Sequence, residues 1–197
     1  MIALKHEMQS FSDSDTPSFD ELDRDFRISA RTSIARKRPC VPLQILLSDG
    51  YLSGSVLNFG KGKYDTDSNA IREHTSCIDY DYTYHKIELV DASFNCVVAF
   101  YVQNTLPPRS REVVWSRLAS LVRLDGTVFV AVRSNKDKGI KGTPFLDGFI
   151  SSIGTYQVGY TLDKLIYEGQ RHFKYVEKLR NKSGFYFIRC SHTPFIK

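Results

Sequence analysis

A short apolar run that ends in Gly-x-Gly leaves a chain few ways to fold. Ser55-Val56-Leu57-Asn58-Phe59 leads directly into Gly60-Lys61-Gly62-Lys63-Tyr64-Asp65. This is how a buried parallel strand turns into a loop that cradles a phosphate or a nucleoside. Glycines let the backbone approach a ligand, and the helix that follows offers free N–H groups at its start. Alone, the pattern also fits an ordinary tight turn.

The downstream sequence sharpens it. Residues 68–74 read as a short helix, and Ser76-Cys77-Ile78-Asp79-Tyr80 as a second strand with an acid near its carboxyl end. Asp79 lies nineteen residues beyond Gly60. A loop–helix–strand unit spans about 20 residues, and the acid at its end meets ribose hydroxyls in nucleoside-binding sheets. Phe94 to Tyr101 is almost wholly apolar and predicts a central strand buried on both faces. Pro107-Pro108 opens a helix with Val113, Val114, Leu118, Leu121 and Val122 at helical spacing. Asp125-Gly126 then reads as a turn into the strand 127–133. The expectation is an α/β fold with an open parallel sheet and helices on both faces. Residues 172–176 and 185–189, parted by Asn181-Lys182-Ser183-Gly184, predict a C-terminal antiparallel hairpin. Residues 134–148 form a long, basic, glycine-containing loop past a strand end, which fits a lid over a ligand and equally a solvated surface excursion.

Charge is uneven along the 197 residues, whose net charge is +5. Among residues 1–25, Lys5 and Arg24 stand against Glu7, Asp13, Asp15, Asp20, Glu21, Asp23 and Asp25. That polar, acidic stretch reads as a mobile N-terminal arm, with a turn of helix onto the body open for Glu21 to Ile28 and 26–197 as a single domain. The body is therefore strongly basic and suits an anionic partner, nucleic acid above all. Arg36, Lys37, Arg133, Lys136, Lys138 and Lys141 are the candidate contacts. Four scattered cysteines and five histidines lack ligand spacing, so no metal site is expected. No apolar run is long enough to span a bilayer and the N-terminus lacks a signal-peptide core, so a cytoplasmic protein is expected.

In this order of parts the chain resembles class I S-adenosylmethionine-dependent methyltransferases. More narrowly, it resembles the methyltransferases associated with DNA phosphorothioation gene clusters. The likeness runs from about residue 29 to 190. It is carried by Arg31-Thr32-Ser33-Ile34-Ala35-Arg36-Lys37, the strand and loop 56–65, Val97 to Asn104, Arg109 with Arg111 and Glu112, and Ala131-Val132-Arg133. The most distinctive piece is Asp147-Gly148 through Gly154-Thr155-Tyr156-Gln157. The resemblance implies a Rossmann-like sheet and S-adenosylmethionine as cofactor. Gly60 and Gly62 would pass under its methionine part, Asp65 would follow the loop, and Asp79 with Tyr80 would meet the ribose. Tyr101 to Asn104 fall where the transferred methyl points, with Gln103 and Asn104 placed to orient the acceptor.

Three loop residues depart from the family. Asn58 replaces an acid, Lys61 a cysteine and Tyr64 a glycine. The first two changes disfavour a cationic cofactor head, each by about 1 kcal/mol if partly exposed. Only residues 82–93 separate Asp81 from Phe94. That is too few for a helix, a strand and two loops, so the usual third strand is expected to be missing or shortened, with Val90-Asp91-Ala92 as a remnant. Two functions stay open. One is methyl transfer to a nucleic-acid or nucleotide-related substrate. The other is a degenerate, methyltransferase-like protein that binds nucleic acid or a protein partner without cofactor turnover.

Overall fold

Apolar side chains alternate along the central strands and divide them between two cores. The structure, a computed structural model, describes residues 16–89, 93–180 and 184–195. Strands β1 (Ser55–Phe59), β2 (Ser76–Tyr80), β3 (Phe94–Phe100) and β4 (Val122–Arg133) pair in parallel in the order β2-β1-β3-β4. A short antiparallel sheet follows, made of β5 (Thr143–Phe145), β6 (Gly148–Ile150) and β7 (Tyr156–Gln157). The chain then adds β8 (Tyr175–Lys178) and β9 (Phe185–Ser191) antiparallel beyond β4, giving six strands in the order β2-β1-β3-β4-β9-β8.

The two-residue period of a strand assigns each side chain to a face. Leu57, Phe59, Val97, Ala99, Val128 and Val130 join one core with helices α4 (Pro108–Leu121) and α5 (Leu162–Gln170). Val56, Cys96, Val98, Phe129 and Ala131 join the other, with α2 (Val41–Ser48) and α3 (Thr66–Arg72). Helices cover both faces, as a parallel sheet requires. Local signals set their starts: Pro42 and Pro108 open α2 and α4, and the Thr161 hydroxyl caps α5 by accepting from the Lys164 amide at 3.2 Å.

The missing third strand is borne out. Among the described residues nothing pairs with the outer edge of β2, and residues 81–89 carry only the isolated Asp81–His85 bridge. Val90-Asp91-Ala92 lies outside the described residues.

Three expectations are corrected. Asp125-Gly126 is not a turn but lies within β4, which begins at Val122. A Cβ at Gly126 would sit 2.8 Å from the Asn95 carbonyl oxygen, so the glycine admits an irregular close pairing with β3. The stretch 134–148 is a loop only over residues 135–142. Thr143–Phe145 starts the small sheet, and Tyr160 returns beside Ser134, with the Asn135 amide donating to the Tyr160 carbonyl at 2.7 Å. The boundary at residue 25 falls inside helix α1 (Phe19–Ala30). Ser18 caps that helix, Arg109 pairs with Glu21 at 3.0 Å, and Ser110 donates to buried Asp25 at 2.7 Å. Side-chain partners on the body thus hold residues that composition alone assigns to an arm. Residues 1–15 of that arm lie outside the described residues.

Candidate active site

The carboxyl ends of β1, β2 and β3 open into a cleft. Gly60 to Gly62 form its floor, and the end of α1 with the α1–α2 linker, from Ser29 to Arg36, lines it. Both glycines are left-handed, with φ of +72° and +71°. A Cβ at Gly60 would lie 2.4 Å from Cγ2 of Val102, and one at Gly62 would lie 2.6 Å from Oγ of Ser33. Only glycine permits both the backbone twist and these approaches. The Gly60 and Lys61 amides donate to the Tyr80 carbonyl at 2.7 and 3.2 Å. The linker is tied down in turn: Ser33 Oγ accepts from the Lys63 amide at 2.9 Å, and Thr66 Oγ1 donates to the Arg36 carbonyl at 3.0 Å.

Asp81 is the cleft's anchor. Its carboxylate accepts from the Gly62 amide at 2.8 Å and from the Thr83 and Tyr84 amides at 2.9 Å each. It fixes the glycine loop to the end of β2 and lines the cleft. Lys61 also lines the cleft, with its ammonium 2.5 Å from Asp65. That hydrogen bond holds the Asp65 carboxyl below its ordinary range. Past β3, Tyr101 adopts φ +62°, a costly conformation for a side-chain-bearing residue. The Arg36 guanidinium lies 5.7 Å from its ring centre, and burial pushes its phenol up.

With this geometry in view, the solved structures give the fold a name. The DhpI–SAH complex is similar at 16% identity and a TM-score of 0.57, over 78% of this chain and 84% of that one. The Burkholderia thailandensis 1,6-didemethyltoxoflavin-N1-methyltransferase, with its substrate and S-adenosylhomocysteine bound, is similar at 12% identity and a TM-score of 0.55, over 76% and 75%. The S-adenosylmethionine-dependent methyltransferase SibL is similar at 11% identity and a TM-score of 0.56, over 88% and 70%. The fold is that of the class I methyltransferases. No protein-family model matches the sequence, and no curated protein matches it.

Within this methyltransferase fold, the expected site residues scatter. Gly60, Gly62, Tyr80, Tyr101 and Arg36 line the cleft. Asn58 and Asp79 do not. They are partners in the β1–β2 register and face α3. Asn58 donates to Ser68 at 3.1 Å, Ser68 donates to Asp79 at 2.7 Å, and Arg72 pairs with Asp79 at 2.5 Å. The reason is position along the strand: Asp79, inside β2, points to the α3 face, whereas Asp81 lies just past the strand and is free to turn into the cleft. Asp65 is exposed and reaches the cleft only through Lys61. Gln103 and Asn104 are buried in a 3-10 turn. Asn104 has a structural job, accepting from the Arg133 amide at 3.2 Å and, through its carbonyl, from the Val158 amide at 2.9 Å. Neither polar atom of the Gln103 amide has a partner among the described residues.

The basic candidates divide likewise. Arg133 is bound to Asp137 at 2.8 Å and to Gln157. Lys136, Lys138 and Lys141 form no wall of the cleft. Lys37 is exposed beside Arg36. The segment that begins at Asp147 builds a network rather than a binding site. Arg111 pairs with Asp147 at 2.5 Å and Glu168 at 3.4 Å, Lys164 pairs with both acids, and Tyr160 and Trp115 donate to Glu168. Asp81 and Ser33 are the site residues that the residue pattern missed, and it does not reveal the pairing of Lys61 with the expected Asp65. The run Asp79-Tyr80-Asp81 holds the signal for the first, since it puts a second acid at the same strand end.

Proposed function

We propose that the chain transfers a methyl group from S-adenosylmethionine to an anionic, nucleic-acid-related substrate. The observation that carries this reading is the pinned glycine loop: Gly60 and Gly62, held by Tyr80 and Asp81, form the floor of a cleft at the strand ends of a methyltransferase fold. The cleft's donors and acceptors suit the cofactor. Asp81 takes the role that spacing alone assigns to Asp79, because its carboxylate keeps acceptor capacity for ribose hydroxyls. The two glycines leave room for the amino-acid chain to pass over them. When bound, the cofactor supplies a methyl carbon already activated by a sulfonium. The protein then has mainly to hold a nucleophile in line at about 3 Å. Tyr101, with Val102 at the end of β3, forms the wall against which that nucleophile would be oriented.

Charge supports the substrate class. Most arginines elsewhere are matched with acids, as in Arg27–Asp23, Arg72–Asp79, Arg180–Asp49 and Arg189–Glu177. Arg36, Lys37, Arg38 and Lys63, around the linker and loop of the cleft, take part in no salt bridge among the described residues. Arg36 in the cleft lining, with these neighbours in the linker and loop, suits phosphates. The narrower resemblance to phosphorothioation-associated methyltransferases points to DNA, handled in the cytoplasm.

One observation favours a second reading, a binding protein without turnover. Lys61 brings a cation to the loop under a cationic cofactor head. Calorimetric titration with S-adenosylmethionine separates the two, followed by incubation with DNA and RNA and mass spectrometry of the nucleosides. Micromolar binding and a methylated nucleoside are expected. Silence at millimolar cofactor would leave the binding-protein reading.

A further inference from the structure

We propose that the Lys61 ammonium is a carboxylate subsite that takes the amino-acid carboxylate of the adenosyl ligand. This rests on reading the cleft as an S-adenosylmethionine site. Lysine side chains are seldom buried unless paired. That of Lys61 is only 7% exposed, yet its sole salt-bridge partner among the described residues, Asp65, is 63% exposed. A water-facing carboxylate compensates a desolvated ammonium only weakly. The protein therefore keeps a largely dehydrated cation in the wall of its cleft.

The remaining geometry leaves that cation short of other acids. Gly60 and Gly62 flank it, and the Tyr80 carbonyl pins its own amide, so the side chain starts from a fixed point on the cleft floor. Neither other acid lining the cleft pairs with Lys61: Asp81 accepts from three backbone amides, and Asp67 from the Cys40 amide at 2.8 Å. An ammonium has three donors on a flexible stem, and Asp65 takes one. A ligand carboxylate lying over the glycines would take another and compete with Asp65 for the charge. The substitution that places a cation under the cofactor head is thus matched to the anionic end of the same molecule.

The test compares S-adenosylmethionine with its decarboxylated form, which keeps the sulfonium and the amine. Calorimetry on the full chain should show the wild type preferring the carboxylate-bearing ligand by about ten-fold or more. Lys61→Met should abolish that preference while binding the decarboxylated ligand as well or better. Lys61→Arg should retain part of it. Asp65→Asn, at an exposed position that leaves folding intact, should raise the preference for S-adenosylmethionine over the decarboxylated ligand several-fold. A preference that survives Lys61→Met overturns this role for Lys61 while leaving the cofactor reading in place. A wild type that binds neither ligand overturns both.

Discussion

The Asp81 carboxylate accepts the Gly62 amide proton at 2.8 Å, and this one bond joins the end of β2 to the glycine loop after β1. Two further amides, of Thr83 and Tyr84, hold the same carboxylate in place. The acid is therefore oriented before any ligand arrives. Asp81→Asn should weaken S-adenosylmethionine binding by about ten-fold or more, since one oxygen acceptor becomes a donor facing N–H groups. Calorimetry measures the loss.

Asp79 should behave differently. It is buried, and its partners Arg72, Ser68 and Cys77 all lie on the α3 side. Asp79→Ala removes the acceptor for Ser68 and the partner of Arg72. Because Arg72 is 44% exposed and can return to water, the expected cost is about 1–3 kcal/mol of stability. Denaturant titration should show that cost, with cofactor affinity near wild type at a temperature where the variant is folded.

Gly60 tests the loop itself. Gly60→Ala meets both a left-handed φ and the Val102 methyl group. A destabilisation of about 1–3 kcal/mol is expected from the backbone alone. Adding Val102→Ala should recover the steric part but not the backbone part. Thermal melts of the single and double variants separate the two contributions.

The network around Asp147 predicts a pH dependence. Burial alone would raise this carboxyl, but its hydrogen bonds with Arg111, Tyr156 and Lys164 outweigh burial and hold it well below the usual carboxylate range. A carboxyl depressed in the folded state contributes stability that is complete above its unfolded pKa of about 4 and is lost as pH falls through its folded value. Wild type should lose stability in this acid window. Asp147→Asn should be less stable at neutral pH and show a shallower acid slope in pH-dependent melts.

Arg36 and its basic neighbours in the α1–α2 linker predict a salt effect. Changing Arg36, Lys37 and Arg38 together to Gln should weaken duplex DNA binding. It should also flatten the dependence of log K on log salt by about 0.9 for each phosphate that is no longer neutralised. Fluorescence anisotropy across a salt series reads this directly. An equal slope in wild type and variant would remove these residues from the interface.

Most of the architecture is legible in the sequence because it depends on local, repeating signals. The apolar run at 94–100, the Pro-opened helix at 108 and the glycine pair at 60 and 62 each announce themselves by period or by backbone chemistry. The absent third strand is legible from length alone, since residues 82–93 cannot supply a helix and a strand. The site is only half legible. Gly60, Gly62, Tyr80 and Tyr101 follow from their place beside strand ends. Spacing nominates Asp79 and the resemblance nominates Asn58, but neither says which face a strand residue takes. The Asp147 segment looks distinctive in sequence because it answers Arg111, thirty-six residues earlier, rather than a ligand.

The sequence by itself determined the parallel sheet, its two apolar faces and the loop that interrupts them, because strand and helix periods and glycine stereochemistry act between neighbours in the chain. Tertiary structure alone decided which acid anchors the loop, that the α1–α2 linker lines the cleft, and that the Lys61 cation is buried against an exposed partner. Those outcomes depend on contacts between residues far apart in sequence, and on where β2 stops. Within the strand Asp79 is held to the helix-covered face; just beyond it, Asp81 is released from the pleat and turns into the open cleft.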